Sequence, residues 1–491
     1  MLCKPFTLAL LGLVAANQAI AQSWDFGLVD KLSKSLQNSI TPKALYRHLS
    51  AFQAAADAGG GTRVFGSPGN QQSLDYVTNL LKQTGQYDVK LEPFEHLDSR
   101  PGPTNNTLAL LDDNTKFDLK FHFYSPAADV EGDLVILPDT FVEKDGKKLA
   151  STGCNLDGFS GTDVKGKIVL IRREVDREFP CPMQNKTLNA AQAGAAGVIL
   201  YPTPSGSTRP SLYEKIPSAG LYQADVDPLL KKITASTVPV KARLHVDTVN
   251  KWSKTYNIHA TSRRGDANNL LHVGAHIDSV AAGPGLNDNA SGSVTILEVA
   301  LRIAQYPIKN KIRFSWWNAE EFGLIGAKYY VANLSQKEKN RTKLYMNFDM
   351  TASPNYILGV HDGDNSSGQN SPAVVPKGCD VIEKVLTEYF NSINQTVVDY
   401  AFSGGSDYDP FLTAGIPSGG LATGASGLKS EAHQKIFGGV AGQPHDHCYH
   451  KACDTIDNVN QRALLLNTRA LAHSAVRFAL GDLSKLQQGR F

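Results

Sequence analysis

The segment from Gly274 to Gly292 carries one histidine and two aspartates between glycines, directly after an apolar run. His276 and Asp278 lie two residues apart, so on an extended strand they face the same side, and Asp288 follows a Gly/Pro turn. An imidazole with nearby carboxylates is half of a zinc site, because nitrogen and oxygen donors suit Zn²⁺. The segment therefore predicts a metal site that is completed by residues further along the chain.

The residues that could complete this site also follow apolar runs. Glu320 and Glu321 follow KIRFSWWNA, Asp349 lies at the end of KLYMNFDM, and His450 lies in a late, cysteine-containing segment. One such residue alone is more often a structural hydrogen-bonding group than a ligand. A buried cluster of carboxylates, however, repels itself and is costly to desolvate unless cations are bound. The joint pattern therefore favours a metal centre.

Alternating strand and helix patterns would position these residues. After Tyr256, NLLHVGA is typical of a strand that ends at His276, SVTILEVALRIAQY of an amphipathic helix, and KIRFSWWNA of the next strand. This alternation predicts an α/β fold with a mostly parallel central sheet flanked by helices. In open α/β sheets, ligands bind at the carboxyl ends of the strands, which is where the candidate residues fall.

The rest of the chain suggests a domain interrupted by an insert. Residues 41–126 show helix, loop, helix and strand patterns and form the first part of the predicted catalytic domain, and residues 247–491 form the second. Residues 127–246 contain short apolar strands with many Gly, Pro and Ser residues, which predicts a small, inserted, β-rich domain. This insert is either a binding module or a passive one, and residues 22–40 are either a removed propeptide or a surface segment.

The first residues are typical of a secretory signal peptide spanning residues 1–21. Lys4 precedes a short apolar segment that ends in the small residues Ala19 and Ala21, and we expect cleavage after Ala21. A membrane anchor is the alternative, but the segment is shorter than the ~20 apolar residues that a spanning helix needs. We therefore expect a secreted protein that is not bound to a membrane, with a vacuolar lumen as the other destination.

Cysteines and sequons are consistent with an oxidising compartment. After cleavage, the remaining cysteines favour the disulfides Cys154–Cys181 and Cys448–Cys453 and leave Cys379 as a free thiol. A zinc-ligand role for Cys448 is the competing interpretation. Six sequons fit a secreted glycoprotein, at Asn105, Asn185, Asn333, Asn340, Asn365 and Asn394. A seventh sequon, at Asn289 in the metal-site segment, is expected to be buried and unmodified.

The charge balance argues against a nucleic-acid partner. The chain of 491 residues has 49 basic and 47 acidic residues and a formal net charge of +2, so no basic excess is available for phosphates. Apolar residues make up 42% of the chain, which is ordinary for a globular protein. We expect a monomer whose function is determined by a local site rather than by its overall charge.

Five motifs occur in an order that resembles a known family. They are GAHIDS at Gly274, GPGLNDNASGS at Gly283, RFSWWNAEEFGLIGAKYY at Arg313, NFDM at Asn347 and CYHKACDT at Cys448. Together they resemble the zinc-dependent M28 aminopeptidases of the aminopeptidase Y type. GTRVFGSPGNQQSLDYV fits the N-terminal part of that family, and KGKIVLIRRE and AAQAGAAGVILYP fit its protease-associated (PA) domain. The resemblance covers nearly the whole mature chain.

The resemblance implies a centre with two Zn²⁺ ions per chain. In it, Asp288 bridges the ions, His276 and Asp349 complete the ligands of one ion, and Glu321 and His450 complete those of the other. Such donors suit zinc at about 2.0 to 2.2 Å.

The resemblance also implies roles around that centre. Glu320 would be the general base that takes a proton from the attacking water, and Tyr449 would donate its hydroxyl to the oxyanion, a core tyrosine being the alternative. Asp278 is expected to hydrogen-bond the second ring nitrogen of His276. The peptide bond between Asp288 and Asn289 is expected to be cis.

One segment departs from the family pattern. Related enzymes can carry a basic residue before the Ser-Asp pair of FSGGSDYDPF, where this chain has Gly405 before Ser406 and Asp407. Tyr408 follows where a histidine is common. A basic contact to the substrate is therefore missing, whereas the metal ligands are all present.

These observations lead to an expected function and two alternatives. We expect a secreted metallopeptidase that removes N-terminal amino acids from peptide substrates with a free N-terminus. A carboxypeptidase of the same broad family is the alternative within enzymes, and it would need a basic group for the substrate carboxylate. A non-catalytic binding or receptor protein on this fold is the alternative from another class, although every motif-matched ligand position holds a competent residue.

Overall fold

The computed structural model describes residues 26–144, 146–173, 181–203, 215–371 and 375–488. The predicted signal peptide, residues 1–21, lies outside these described residues. The chain divides into two compact units. The first comprises Met1–Phe94 and Thr255–Phe491, and the second comprises Glu95–Lys254.

Seventeen strands are named here in chain order. They are β1 (Tyr87–Pro101), β2 (Thr107–Leu110), β3 (Lys116–Lys120), β4 (Ala128–Ile136), β5 (Phe141–Lys144), β6 (Lys147–Ala150), β7 (Ile168–Arg172), β8 (Gly197–Thr203), β9 (Ser218–Tyr222), β10 (Lys241–Val246), β11 (Thr248–Ser262), β12 (Asp266–His276), β13 (Asn310–Trp317), β14 (Thr342–Phe348), β15 (Gly359–His361), β16 (Val398–Tyr400) and β17 (Ser418–Ala422).

The α-helices are α1 (Phe26–Ser39), α2 (Pro42–Ala58), α3 (Pro68–Gln83), α4 (Met183–Gln192), α5 (Gln223–Ala235), α6 (Gly292–Ile303), α7 (Ile325–Ala332), α8 (Gln336–Arg341), α9 (Cys379–Ser392), α10 (Asp409–Thr413), α11 (Glu431–Phe437) and α12 (Gln461–Leu480). Short helical turns are Leu156–Phe159, Leu286–Ser291, Glu320–Phe322, Ile456–Asn458 and Leu483–Gln488.

The first unit is built on an eight-stranded sheet in the order β1-β11-β13-β12-β14-β17-β15-β16. In its middle, β12 pairs in parallel with β13 and β14, and β14 pairs in parallel with β17. On either side of this parallel centre, β11 is antiparallel to β13 and β15 is antiparallel to β17. The sheet is therefore mixed, and the α/β class with flanking helices is as predicted.

The register of the central strands brings the candidate residues to one edge. His276, the last residue of β12, pairs with Trp317 at the end of β13, and Gly274 pairs with Asn347 near the end of β14. Because the strands are parallel, the segments that follow them leave the sheet side by side. The turns that carry Glu320 and Asp349 thus begin next to His276.

Helix α6 packs its whole length into the core of the first unit. Ten of its twelve residues are buried, including Glu298. An oxygen of Glu298 lies 3.1 Å from Nε2 of His48 on α2, and the other accepts a hydrogen bond from Arg302 at 2.8 Å. Burial raises the pKa of Glu298, but these hydrogen bonds outweigh it and lower that pKa below its ordinary value. The buried charge is therefore paired.

Helix α1 accounts for most of the segment that the sequence left open between 22 and 40. It packs against α12, and Leu36 and Ile40 are fully buried in the main core. The hydroxyl of Ser33 lies 2.9 Å from a ring nitrogen of His473 on α12. From Phe26 onward, this segment is thus packed as part of the first unit.

The second unit is a closed barrel of seven strands in the order β10-β2-β3-β9-β8-β7-β4, with α4 and α5. The predicted β-rich insert was placed at residues 127–246, but β2 and β3 precede that range and pair with β10 and β9 of the barrel. The unit consequently begins at Glu95 and ends at Lys254. The predicted range 127–246 lies within this unit, and pairing between distant strands leaves no local signal in the sequence.

Both favoured disulfides are formed, Cys154–Cys181 and Cys448–Cys453. The competing interpretation of Cys448 as a zinc ligand is wrong, because its sulfur is bonded to another cysteine. Cys379 is a buried thiol, and burial raises its pKa to about 12, so it stays protonated at neutral pH.

Sequon exposure differs between the predicted sites. Asn289 is fully buried, as expected. Its side-chain oxygen accepts hydrogen bonds from the backbone N–H groups of Gly292 and Met350, and its side-chain nitrogen donates to the carbonyl of Phe348. Asn365 is half-buried. The exposed sequon residues are Asn105, Asn185, Asn333, Asn340 and Asn394. Within the described ranges, every helix is too short or too polar to cross a bilayer.

We predict that Glu298→Gln destabilises the protein by about 3 kcal/mol at pH 7, because it breaks a buried charge pair. The pKa of Glu298 is lower in the folded protein than in the unfolded chain. The ionised Glu298 therefore contributes its full stability above the ordinary carboxyl pKa of about 4.3, and this stability is lost as the pH falls through the pKa of the folded state. Urea unfolding at pH 7 and pH 4 measures the difference. Glu388→Gln, at an exposed pair with Lys384 3.9 Å away, is the control and should change stability by less than about 0.5 kcal/mol. Equal losses in the two variants would contradict the prediction.

Candidate metal centre

The turns that carry the candidate residues are held in uncommon backbone conformations. Three residues beside the centre, Ala319, Met350 and His450, have positive φ angles of 56°, 51° and 58°. Such left-handed conformations are unfavourable for residues with a side chain and are kept where the surrounding structure requires them. Ala319 lets the chain turn from β13 directly into the Glu320–Phe322 turn, so that the two glutamates face the strand edge.

Asp288 lies between two groups of possible metal ligands. Its Oδ1 is 3.2 Å from Nε2 of His276, and the same nitrogen is 3.2 Å from Oδ1 of Asp349. Its Oδ2 is 3.1 Å from Nε2 of His450, which is also 3.2 Å from Oε2 of Glu321. The two oxygens of one carboxylate thus face two separate groups, and the structure brings together all five predicted ligands.

These separations fit bound metal ions. Two donor atoms that each lie about 2.0 to 2.1 Å from one ion at a tetrahedral angle are about 3.3 Å apart. In each group the ligand atoms lie within 4.8 Å of one another. Nitrogen with carboxylate oxygen is a donor set that zinc accepts. The peptide bond between Asp288 and Asn289 is cis, as the resemblance predicted.

The electrostatics of the centre favour positive charge. Burial lowers the pKa of His276, but Asp349 and Glu320 raise it more, so its pKa lies well above the ordinary value. For His450, the carboxylates of Glu321 and Asp288 likewise overcome burial and raise the pKa to about 11. Both imidazoles are thus stabilised as cations by their neighbours. A divalent ion at each group satisfies the same demand.

Asp278 differs from its predicted role. Its Oδ1 is 3.6 Å from Nδ1 of His276, which is longer than a hydrogen bond. Its two oxygens instead accept hydrogen bonds from the backbone N–H groups of Glu320, at 3.1 Å, and Glu321, at 3.3 Å. In this structure Asp278 therefore fixes the glutamate turn against the end of β12, and its link to His276 is electrostatic.

An open cavity of about 100 Å³ leads to the centre. It is lined by Glu320, Tyr449 and the ligand carboxylates, and also by Met350, His361, Tyr400 and Tyr408. Gly405 lies on the wall, where the missing basic residue would stand. Among the described residues that line the cavity there is no lysine or arginine.

Glu320 and Tyr449 are the two predicted catalytic groups at this cavity. Burial and the nearby carboxylates of Glu321, Asp407 and Asp349 raise the pKa of Glu320 well above its ordinary value, against the effect of His276. Burial and Asp288 raise the pKa of the Tyr449 hydroxyl, so it remains a proton donor. The ring of Tyr449 stacks on that of His450, with 3.8 Å between centroids.

Sequence reasoning missed several groups that support the centre. Asp454, whose pKa burial raises to about 7, accepts hydrogen bonds from the backbone N–H of Asn287 at 2.9 Å and of Asp288 at 3.0 Å. The Ser406 hydroxyl donates to Oδ2 of Asp349 at 2.6 Å. Arg63 is fully buried beside the same loops. Asp454 and Arg63 lie within the matched motifs CYHKACDT and GTRVFGSPG, which was the available signal.

Comparison with known proteins decides the family. The model of peptidase family M28 matches residues 257–475, and that of the PA domain matches residues 130–229. A protein of Aspergillus oryzae described as probable leucine aminopeptidase 2 is 38% identical over 431 residues, covering 86% of this chain and 81% of the relative. The chain belongs to peptidase family M28. The predicted family and PA domain are therefore confirmed, and so is the prediction of a peptidase.

Other relatives and structures agree with the M28 assignment. Leucine aminopeptidase 2 of Arthroderma otae is 36% identical and covers 96% of this chain, with 91% of its own length covered. Among solved structures, an aminopeptidase from Aneurinibacillus sp. strain AM-1 covers 91% of this chain and 96% of its own at 24% identity, with a TM-score of 0.70. A zinc aminopeptidase from Bacillus subtilis gives a TM-score of 0.63 at 23% identity. These structures share the fold of this chain.

We predict that Asp288→Asn abolishes the binding of divalent metal at both groups, because Asp288 is the member common to both. Asp349→Asn, which changes one group only, should remove one equivalent and retain the other. Metal content after dialysis against trace zinc distinguishes these results. Asp457→Asn, at an exposed position, is the control and should bind as the unchanged protein does. Retention of metal by Asp288→Asn would show that the two groups do not depend on it.

Proposed function

We propose that this protein is a di-zinc aminopeptidase that hydrolyses the N-terminal peptide bond of peptides. The observation that carries the proposal is that the two oxygens of Asp288 face His276 and His450, each of which also faces a second carboxylate. A carboxylate placed in this way can bridge two ions, and the cavity that opens beside it provides room for a substrate. The names of its M28 relatives support the activity.

The metal ligands are the five residues of the two groups. His276 and Asp349 would hold one zinc ion, Glu321 and His450 would hold the other, and Asp288 would be a ligand of both. When bound, zinc acts as a Lewis acid that polarises a carbonyl and makes water more acidic. The backbone N–H of Asp288 donates a hydrogen bond to the carboxylate of Asp454, which restrains the backbone that carries the Asp288 side chain.

Glu320 is the general base of the proposed reaction. It lines the cavity beside the two groups without belonging to either, so its carboxylate remains available to a water molecule. Its raised pKa means that it can keep a proton taken from water and pass it to the leaving amine. The backbone N–H groups of Glu320 and Glu321 are held by Asp278, which keeps the two side chains in their different directions.

Tyr449 is the proposed donor to the oxyanion of the tetrahedral intermediate. Its hydroxyl stays protonated because burial and the neighbouring carboxylates raise its pKa. The loop that carries Tyr449 is closed by the Cys448–Cys453 disulfide, which also limits the movement of His450. Tyrosine and metal ligand are therefore positioned by the same covalent constraint.

The charge of the cavity favours the amino end of a peptide over its carboxyl end. Carboxylates of Asp288, Glu320 and Asp349 line it, and the described lining includes no lysine or arginine. A terminal carboxylate of a substrate would thus find no lysine or arginine side chain to pair with among these described residues, and such a group is what a carboxypeptidase needs. This observation favours the aminopeptidase over the carboxypeptidase alternative, and the complete ligand set argues against a non-catalytic receptor.

The setting of the enzyme belongs to the proposal as well. Two disulfides and five exposed sequon asparagines support a secreted glycoprotein that acts on extracellular peptides. Identification of the N-terminal residue and analysis of the glycans, both on protein from a secreting host, would test this setting directly.

We predict that Glu320→Gln lowers kcat by about 10²- to 10⁴-fold while the protein keeps two equivalents of zinc, because general base catalysis is lost and the ligands are not. Release of free leucine from a leucyl peptide measures turnover, and metal analysis is made on the same sample. Glu431→Gln on the exposed face of α11 is the control and should be fully active. Unchanged turnover in Glu320→Gln would remove Glu320 from the mechanism.

We predict that acetylation of the substrate amine lowers kcat/KM by at least about 100-fold, because the acid-lined cavity loses an ammonium partner. Paired peptides with free and acetylated N-termini give the comparison, and a pair with free and amidated C-termini is the control. A strong effect of C-terminal amidation with no effect of acetylation would instead identify a carboxypeptidase.

A further inference from the structure

Arg63 is a fully buried cation beside the proposed centre that takes no part in the proposed chemistry. It lies between α2 and α3, in the motif GTRVFGSPG. Its Nε donates to the carbonyl of Pro284 at 2.9 Å, its Nη2 to that of Gly285 at 2.6 Å, and its Nη1 to that of Ile277. One guanidinium thus joins both ends of the loop 277–285.

This loop connects the two halves of the centre. It begins directly after His276 at the end of β12 and leads to Asp288, and the described chain forms no helix or strand within it. Gly285 has a φ of +65°, and a Cβ there would come within 2.3 Å of the Asp288 carbonyl oxygen. The position of the loop is therefore set by partners from elsewhere in the chain.

The backbone and the neighbour of Arg63 add to the same attachment. The N–H of Arg63 donates to the Ser279 hydroxyl at 3.0 Å, and the Thr62 hydroxyl donates to the carbonyl of Val280 at 2.8 Å. The guanidinium also lies over the ring of Phe52, at 5.0 Å from the centroid. Two consecutive residues therefore hold the loop at its start, its middle and its end.

We propose that Arg63 is a positioning residue that holds the loop 277–285, and through it His276 and Asp288, in the conformation that binds both metal ions. The inference rests on the proposed zinc centre. Each of the three guanidinium nitrogens donates a hydrogen bond to a backbone carbonyl, so the side chain fixes the geometry of the loop. Partners of this kind commonly change metal affinity by 10- to 100-fold.

The positive charge of Arg63 should weaken zinc binding, whereas its positioning of the loop should strengthen it, and this difference makes the proposal testable. The carboxylates of Asp278, Asp454, Asp288 and Glu321 surround it and partly offset the burial that lowers its pKa to about 10, so it is a cation at neutral pH. A fixed cation repels incoming Zn²⁺. If charge were its main effect, removing it would leave zinc binding as tight or make it tighter. If it positions the loop, removing it weakens binding.

The experiment compares Arg63→Met and Arg63→Lys with the unchanged protein by competition for zinc with a chromophoric chelator. We expect binding at least 30-fold weaker in Arg63→Met, which keeps the apolar stem on Phe52 but has no donors. We expect an intermediate loss, about 5- to 10-fold, in Arg63→Lys, which keeps the charge but cannot reach three carbonyls. Arg63→Met that binds zinc within threefold of the unchanged protein, or tighter, overturns the proposal.

A second readout does not depend on metal or on activity. Hydrogen exchange of peptides covering 277–290 in the metal-free protein should be faster in Arg63→Met by at least 10-fold, while exchange in α6 and α12 stays the same. Equal exchange in the loop overturns the positioning role. If Arg63→Met does not fold, the loss expected for Arg63→Lys decides, and Arg63→Lys with unchanged affinity and exchange then refutes it.

Arg313→Met is the matched control. Arg313 is in the same unit, lies over the ring of Tyr330 at 5.9 Å and donates to two side-chain hydroxyls, those of Thr261 and Tyr330. It should leave zinc affinity unchanged even if it lowers stability, and an equal loss of affinity in both variants would overturn a specific role of Arg63. Failure of the unchanged protein to bind two equivalents of zinc would refute the proposed centre itself, which is a distinct result.

Discussion

Mutual repulsion among carboxylates is the constraint on which this structure depends. Asp288, Glu320 and Glu321 are buried and Asp349 is half-buried, all at one edge of the sheet. Carboxylates in such a place are stable only with compensating positive charge. The raised pKa values of His276 and His450 are the direct consequence, since both imidazoles are stabilised as cations by these neighbours.

The fold meets this constraint by distributing the acids over separate strands. The parallel pairing of β12 with β13 and β14 places the segments after three strands side by side, and each segment contributes one part of the centre. The supports behind the acids are backbone contacts. Asp278 holds the turn of Glu320, Asp454 holds Asp288, and Arg63 holds the loop that joins His276 to Asp288. Repelling groups are thus fixed by partners that do not occupy their metal-facing oxygens.

The candidate ligands were found from sequence because their residue types and positions carry a strong local signal. His276, Asp349 and the two glutamates each lie at or just after the end of an apolar strand, and the structure brings His276, Asp349 and Glu321 together with Asp288 and His450. Asp278 shows the limit of that reasoning. Its spacing of two residues from His276 suggested a hydrogen bond between the side chains, yet its oxygens bond the backbone more than 40 residues away. Local spacing predicts the side of a strand on which a side chain lies, whereas its hydrogen-bond partner depends on which residues the neighbouring strand places beside it.

The sequence by itself determined the α/β class and the M28 family, because periodicity and motif order are properties of the chain alone, and it predicted the candidate metal ligands and the two disulfide pairs. Only the tertiary structure decided the mixed pairing of the sheet, the start of the barrel unit at Glu95, the packing of α1 on α12 and the role of Arg63. Each of these depends on contacts between residues far apart in the chain. Arg63 is the clearest case, since the first of its carbonyl partners lies 214 residues later in the chain. A backbone carbonyl is present in every residue, so the sequence cannot indicate which ones Arg63 contacts.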